Sequence, residues 1–298
     1  MNKLEKVQRL TDLQDKIIEA YVANSILRGA EDYAPLYRKY PKLFKQLVKS
    51  EIATDKGMRK YFKGLSERLV ESLDWNEYQR QRESATSGAS ATSGVNAPRG
   101  ADYKAANILD YLVKAFWEDE TLVLKINLTG TLIDAIEAGG LYTQEDLHID
   151  IGWSRNEAPV IEFLNKYTLQ LSKSLTQVSS DRVLSALKLS IDNGEDRDGA
   201  IKRINEVVRD VKRSTTIAQT ESVRGFSSGR MQVAKEIGAD RKQWRTAGAK
   251  DYCLTLEGMG VVPLTYRYLT EQGGKIDKPP AHPNCRCGIQ IFMPDEKV

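Results

Sequence analysis

Apolar residues recur at spacings of three and four through most of this 298-residue chain. Leu4, Val7, Leu10, Leu13, Ile17 and Tyr21 open the pattern, and Ile26 and Leu27 extend it. A helix completes a turn every ~3.6 residues, so this spacing gathers one apolar face and predicts amphipathic helices. Leu43, Phe44, Leu47 and Val48 form a second such face, and Tyr61, Phe62, Leu65, Leu69 and Leu73 a third. Further on come Ile108, Leu109, Leu112, Val113, Phe116 and Trp117, then Val160, Phe163, Leu164, Tyr167, Leu171 and Leu175. Val183, Leu184, Leu187 and Ile191 follow, with Gly194 as the expected stop. Asp198 is expected to cap a helix carrying Ile201, Ile204, Val207, Val208 and Val211. A long helix is predicted from about Thr215 to Ile237, stopped by Gly238.

Two stretches read less simply. Leu122 to Leu128 alternates and fits either a short strand or continuing helix. Thr131 to Ala138 reads as helix stopped by Gly139 and Gly140, and Thr143 to Asp146 has the shape of a capping signal. The character changes beyond Gly238. Lys242 to Thr246 is strand-like, glycines and prolines multiply, and Gly288 to Met293 predicts a short strand ending at Pro294. The expected fold class is therefore mainly α: helical N-terminal and middle regions, with a small, loop-rich α+β domain at the C-terminus.

The stretch Ser84 to Gly94 repeats Ser-Ala-Thr-Ser-Gly, and small polar residues of this kind predict a flexible linker over 84–100. The expected organisation is a helical region 1–83, the linker 84–100, a middle helical region 101–179 and a C-terminal domain 180–298. Charge follows a similar division. Residues 1–83 hold 17 basic and 13 acidic side chains, 101–198 hold 9 and 17, and 199–298 hold 17 and 11. Such blocks predict parts with different surfaces, although solvated faces also carry charge of this order. Within the first block, Arg38, Lys39, Lys42, Lys45, Lys49, Lys56, Arg59, Lys60 and Lys63 outnumber Glu51 and Asp55. With Tyr37, Tyr40 and Tyr61 interleaved, this stretch reads first as a basic solvated face or a protein-docking face, and second as a phosphate contact.

No run approaches the ~20 apolar residues that span a bilayer. The N-terminus lacks the apolar core and cleavage site of a signal peptide, so the chain is expected to be made in the cytoplasm and left there. Three cysteines exclude a disulfide framework. All three, with one of the two histidines, fall near the C-terminal end: Cys253, His282, Cys285 and Cys287. Thiolate and imidazole are preferred zinc ligands, and four complete a tetrahedral structural site. A loop-rich lobe with little core would gain from such a staple. Three readings stay open on spacing alone: a structural Cys3His zinc site, a disulfide from Cys253 to Cys285 or Cys287, and thiols beside a packed histidine. Catalytic zinc lacks its usual motifs, and no residue set stands in named catalytic roles. His148 is isolated and reads as a surface or packed histidine, and Trp244 reads as core.

Thr216-Ile-Ala-Gln-Thr-Glu221, Arg224, Gly229-Arg230, Ala234, Gly238, Trp244, Leu256-Glu-Gly258 and His282-Pro-Asn-Cys-Arg-Cys287 occur in this order. Together they resemble the phage head morphogenesis domain of Mu F-like minor head proteins of tailed bacteriophages, over about residues 180–293. Some family members carry C-x-x-C before the Leu-Asp/Glu-Gly element; the matching positions here are Lys250 and Cys253. Four candidate ligands remain. The resemblance implies a non-enzymatic virion component that acts in capsid assembly. Its implied partners are the portal and procapsid proteins, and in some relatives viral DNA, with no membrane and no small-molecule substrate. Its implied location is the bacterial host cytoplasm during assembly, then the virion head. Two alternatives are carried beside it: a DNA-binding accessory protein with a structural zinc lobe, and a hydrolase or toxin-type enzyme, for which no constellation is present.

Overall fold

The structure, a computed structural model, describes residues 13, 16–21, 23, 41–90, 106–246 and 252–296. Most of the first apolar face, Arg38, Lys39, Tyr37, Tyr40, linker residues 91–100 and Lys250 lie outside the described residues. The helices are α1 (Pro41–Ser72), α2 (Trp75–Ser90), α3 (Ala106–Asp146), α4 (Ala158–Asp192), α5 (Arg197–Val208), α6 (Val211–Glu236) and α7 (Cys253–Gly258). The strands are β1 (Arg241–Arg245), β2 (Val261–Pro263), β3 (Tyr268–Leu269), β4 (Lys275–Ile276) and β5 (Gly288–Phe292). The expected class is found: the chain is mainly helical, with a small α+β part at the C-terminal end. No described helix is long and apolar enough to cross a membrane.

Two compact units result, and each is built from separated stretches. One comprises Met1–Met58, Thr129–Asn165 and Lys212–Val298; the other comprises Arg59–Leu128 and Lys166–Val211. Composition and spacing point to consecutive segments instead. Apolar periodicity marks a helix but says nothing of which distant helix it packs on.

The second unit is helical. Tyr61, Phe62, Leu65, Leu69, Trp117, Leu124, Leu128, Val183, Leu187, Ile204 and Val208 are buried there. Leu124 and Leu128 settle the ambiguous 122–128 stretch as helix, inside α3. Helix α4 buries hydroxyls by turning them on its own carbonyls: Ser172 Oγ donates to Thr168 O at 2.5 Å and Thr176 Oγ1 to Ser172 O at 2.9 Å. Arg68 holds the buried Glu120 with two bonds, Nε–Oε1 at 2.5 Å and Nη2–Oε2 at 2.8 Å. The cap of α5 is Asp196, not Asp198, because its carboxylate accepts from Gly199 N at 2.9 Å; Asp198 sits in the first turn. Helix α2 runs through Ser90, so residues 84–90 of the expected linker are helical. Asp74 caps it, accepting from Asn76 N and Glu77 N, and Thr86 Oγ1 donates back to Arg82 O.

The first unit places α3 against α6. Helix α3 does not stop at Gly139 and Gly140 but continues to Asp146. The glycines serve close approach instead. A Cβ on Gly139 would lie 1.9 Å from Phe226 O, one on Gly140 2.1 Å from the Trp153 ring, and one on Gly229 1.9 Å from Ile136 O. Thr143 is not a cap either, since its hydroxyl donates to Gly139 O within the helix at 3.0 Å. Ile18, Leu47, Val48, Ala138, Tyr142, Val223 and Phe226 form the adjoining core. Arg230 is buried beside it, 4.5 Å from the Tyr142 ring centre, and Nη2 donates to Asp146 Oδ2 at 3.0 Å.

Helix α6 ends at Glu236, and Gly238, at φ +75°, makes the predicted stop. The chain then enters an antiparallel sheet of order β2-β1-β5, with Lys242 opposite Val262 and Trp244 opposite Ile289. Strands β3 and β4 pair as a short ribbon, Tyr268 opposite Ile276. Met231 and Ala234 of α6 pack on Ala239, Leu264, Ile289 and Ile291, which seats the sheet on the helix.

Candidate metal centre

Cys253 begins α7, while Cys285 and Cys287 lie in the segment that leads into β5. The His282-Pro-Asn-Cys turn is closed by Cys285 N donating to His282 O at 3.3 Å. Asn284 takes φ +64°, a left-handed conformation that asparagine tolerates better than most residues. Its N–H donates to Thr220 Oγ1 of α6 at 3.0 Å, and Thr220 donates in turn to Thr216 O at 2.7 Å. The loop is thereby fixed to the helix.

The three sulfurs lie within 4.8 Å of one another, all buried, close enough to hold a metal ion. Cys253 Sγ is 3.9 Å from Cys285 Sγ and 3.4 Å from His282 Nε2. All three cysteines are thiols, so the disulfide reading finds no counterpart here. His282 Nδ1 is 2.8 Å from Pro283 O. A carbonyl only accepts, so Nδ1 carries the proton and Nε2 is the nitrogen presented to the sulfurs. This is the usual outer-shell arrangement for a metal-binding imidazole. Trp244, Leu256, Val262 and Tyr268 wall the cluster, with Trp244 and Tyr268 edge to face at 5.2 Å.

Such packing makes the thiols share protons. The Cys253 S–H donates to Cys285, which holds Cys285 well below the ordinary thiol range and pushes Cys253 up. Three thiolates in one dry pocket repel one another, and a divalent cation is what allows all to ionise.

Nearby, Lys242 is fully buried. Its Nζ donates to Asp277 O at 2.6 Å and stands 5.5 Å from the Tyr268 ring centre. Burial pushes its pKa down to about 8. Trp244 is core, as expected. Glu221 and Arg224 pair at 3.2 Å with the Glu221 side chain buried. His148 is exposed, at φ +55°, in the turn after α3; it lies outside the cluster of three sulfurs, as does His282, whose Nε2 stands 3.4 Å from Cys253 Sγ.

Sequence reasoning missed the residue between the last two cysteines. Arg286 is fully buried, and its Nη2 donates to Glu51 Oε1 of α1 at 2.6 Å, also fully buried. Asp55, one turn on, accepts from Thr215 Oγ1 at 3.2 Å. In the sequence, Glu51 and Asp55 read only as charges diluting a basic stretch. The available signal was their spacing of four, which puts both carboxylates on the same side of α1 as Leu47 and Met58, away from Lys42, Lys49 and Lys56.

Comparison with family models, with curated proteins and with solved structures gives no match.

Proposed function

We propose that the chain is a non-enzymatic minor head protein of a tailed bacteriophage or prophage. Its C-terminal lobe, within Lys212–Val298, would be stapled by one structural zinc ion on Cys253, His282, Cys285 and Cys287. The observation that carries the reading is convergence. The motif elements behind the resemblance all fall between Thr216 and Cys287, and several of them touch: Thr220 accepts from Asn284, and Trp244 and Leu256 wall the cysteines.

The ligand distances support zinc. Zn–S bonds of about 2.3 Å and Zn–N bonds of about 2.05 Å at tetrahedral angles put neighbouring sulfurs about 3.8 Å apart and sulfur and nitrogen about 3.6 Å apart. Cys253 stands 3.9 Å from Cys285 and 3.4 Å from His282, and the three sulfurs lie within 4.8 Å of one another. With all four coordination positions taken by protein, the ion would have a folding role rather than a catalytic one.

The partners proposed are the portal and procapsid proteins, with viral DNA retention or ejection as a further role, first in the host cytoplasm and then in the virion head. The test is co-purification with the portal from assembling particles. Absence from both procapsids and virions overturns the assignment. A second reading, a DNA-binding accessory protein, is favoured by one observation. Lys42, Lys49 and Lys56 are exposed on α1, while Glu51 and Asp55 on the same helix turn inward. Its mark is DNA affinity that falls steeply with salt, and no binding at low salt removes it.

A further inference from the structure

We propose that a phosphate-binding site lies where the segment after β4 meets α6, with Lys278, Lys235 and Arg224 at its surface and the buried Lys242 behind them. It depends on neither the metal nor the virion assignment.

Side chains alternate along a strand, so Lys242 and Trp244 of β1 point to the same buried face. Trp244 is the kind of residue such a position calls for. Lys242 is not, yet its ammonium is fully excluded from water. An ammonium carries three N–H groups, and this one meets a single acceptor among the described residues, Asp277 O at 2.6 Å. The residue that follows Asp277 brings a second ammonium. Lys278 Nζ lies 3.1 Å from Asp277 Oδ1 and 5.7 Å from the Phe163 ring centre, with its side chain 17% exposed. One residue, Asp277, thus serves two cations.

Helix α6 adds two more. Arg224 and Lys235 are eleven residues apart, about three turns, so they share one side of the helix. Both act on the charge of Lys278, and Lys235 acts on Lys242 as well. Arg224 is half-buried and paired with Glu221, whereas Lys235 is exposed. Four cations therefore stand with two carboxylates, and positive charge is in excess. Burial first, and then the neighbouring cations, push both lysines below the ordinary ammonium range. Holding positive charge in this way is unfavourable for the fold alone, and an anion relieves it. A phosphate group suits the place. Its several oxygens accept from donors that come from the loop and from the helix, as charge-assisted bonds, and its charge offsets the excess. A nucleic-acid backbone and a free phosphate present this same group.

The experiment titrates the full chain with inorganic phosphate and, separately, with a short DNA duplex, against chloride at matched ionic strength, by calorimetry. Lys278→Met is expected to raise the Kd about tenfold or more, as loss of one charge-assisted bond does. Lys235→Gln, at an exposed position that folding tolerates, is expected to raise it about threefold, and Lys188→Met, an equal loss of charge on the exposed side of α4, less than about twofold. A duplex that binds, is displaced by phosphate and follows this order of variants makes the phosphodiester backbone the ligand. Phosphate binding in this order, without duplex binding, makes it a free phosphate. Neither ligand binding beyond the chloride control overturns the site, as does equal affinity in Lys278→Met and Lys188→Met. If Lys278→Met does not fold, Lys235→Gln decides, and affinity equal to that of Lys188→Met overturns the site.

Discussion

Replacing Gly229 by alanine tests the helix crossing on which the lobe is built. Helix propensity alone favours the change by about 1 kcal/mol. Packing opposes it. The new Cβ would sit 1.9 Å from Ile136 O and 2.8 Å from Gly140 N, and both are backbone atoms of α3. Ordinary carbon–oxygen contact needs about 3.2 Å, so the helices must part by more than about 1 Å. A gap of about 1 Å forfeits up to half of each dispersion contact along the seam. Overpacking of this kind costs about 1–3 kcal/mol, more where the obstacle is backbone. The expected net effect is a loss of about 2 kcal/mol, read as a lower urea midpoint at unchanged m-value. Gly130 supplies the control. It lies in α3 with nothing within 4 Å of its Cβ position, so Gly130→Ala is expected to stabilise by about 1 kcal/mol. A Gly229→Ala protein as stable as Gly130→Ala would refute the close-crossing account.

Other consequences are local to the C-terminal lobe. Thr220→Val removes the acceptor of the Asn284 N–H; it is expected to cost about 1–2 kcal/mol and weaken metal retention against a competing chelator. Lys242 titrates near pH 8 in the fold, against about 10.4 unfolded, so the unfolded chain binds its proton more tightly. Stability is therefore expected to rise from about pH 8 to about pH 10, and Lys242→Met should flatten that slope. Metal binding must displace thiol protons, above all from Cys253, so retention against a chelator is expected to weaken as pH falls from 8 to 5. A retention curve flat in pH would contradict thiolate ligation.

Most helices were legible because their apolar faces repeat at helical spacing, and Gly238 stops α6 as its position suggested. Gly139 and Gly140 misled because the same residue type ends a helix or admits a neighbour's backbone, and only Phe226 and Trp153 decide which. Asp196 and Asp198 are chemically equal caps, separated only by which carboxylate meets Gly199 N. The cysteine cluster was legible for a different reason. So few thiols concentrated near one end leave few arrangements. The Arg286–Glu51 pair was not legible, since single charged residues read as surface until a partner 235 positions away is brought beside them.

The central claim is that the C-terminal lobe is organised by a metal on Cys253, His282, Cys285 and Cys287. Elemental analysis of the full chain, purified without added metal, tests it most directly. The expected result is about one zinc per chain, lost in Cys285→Ser together with a lower melting temperature. Metal-free protein whose melting temperature is untouched by chelation would contradict it.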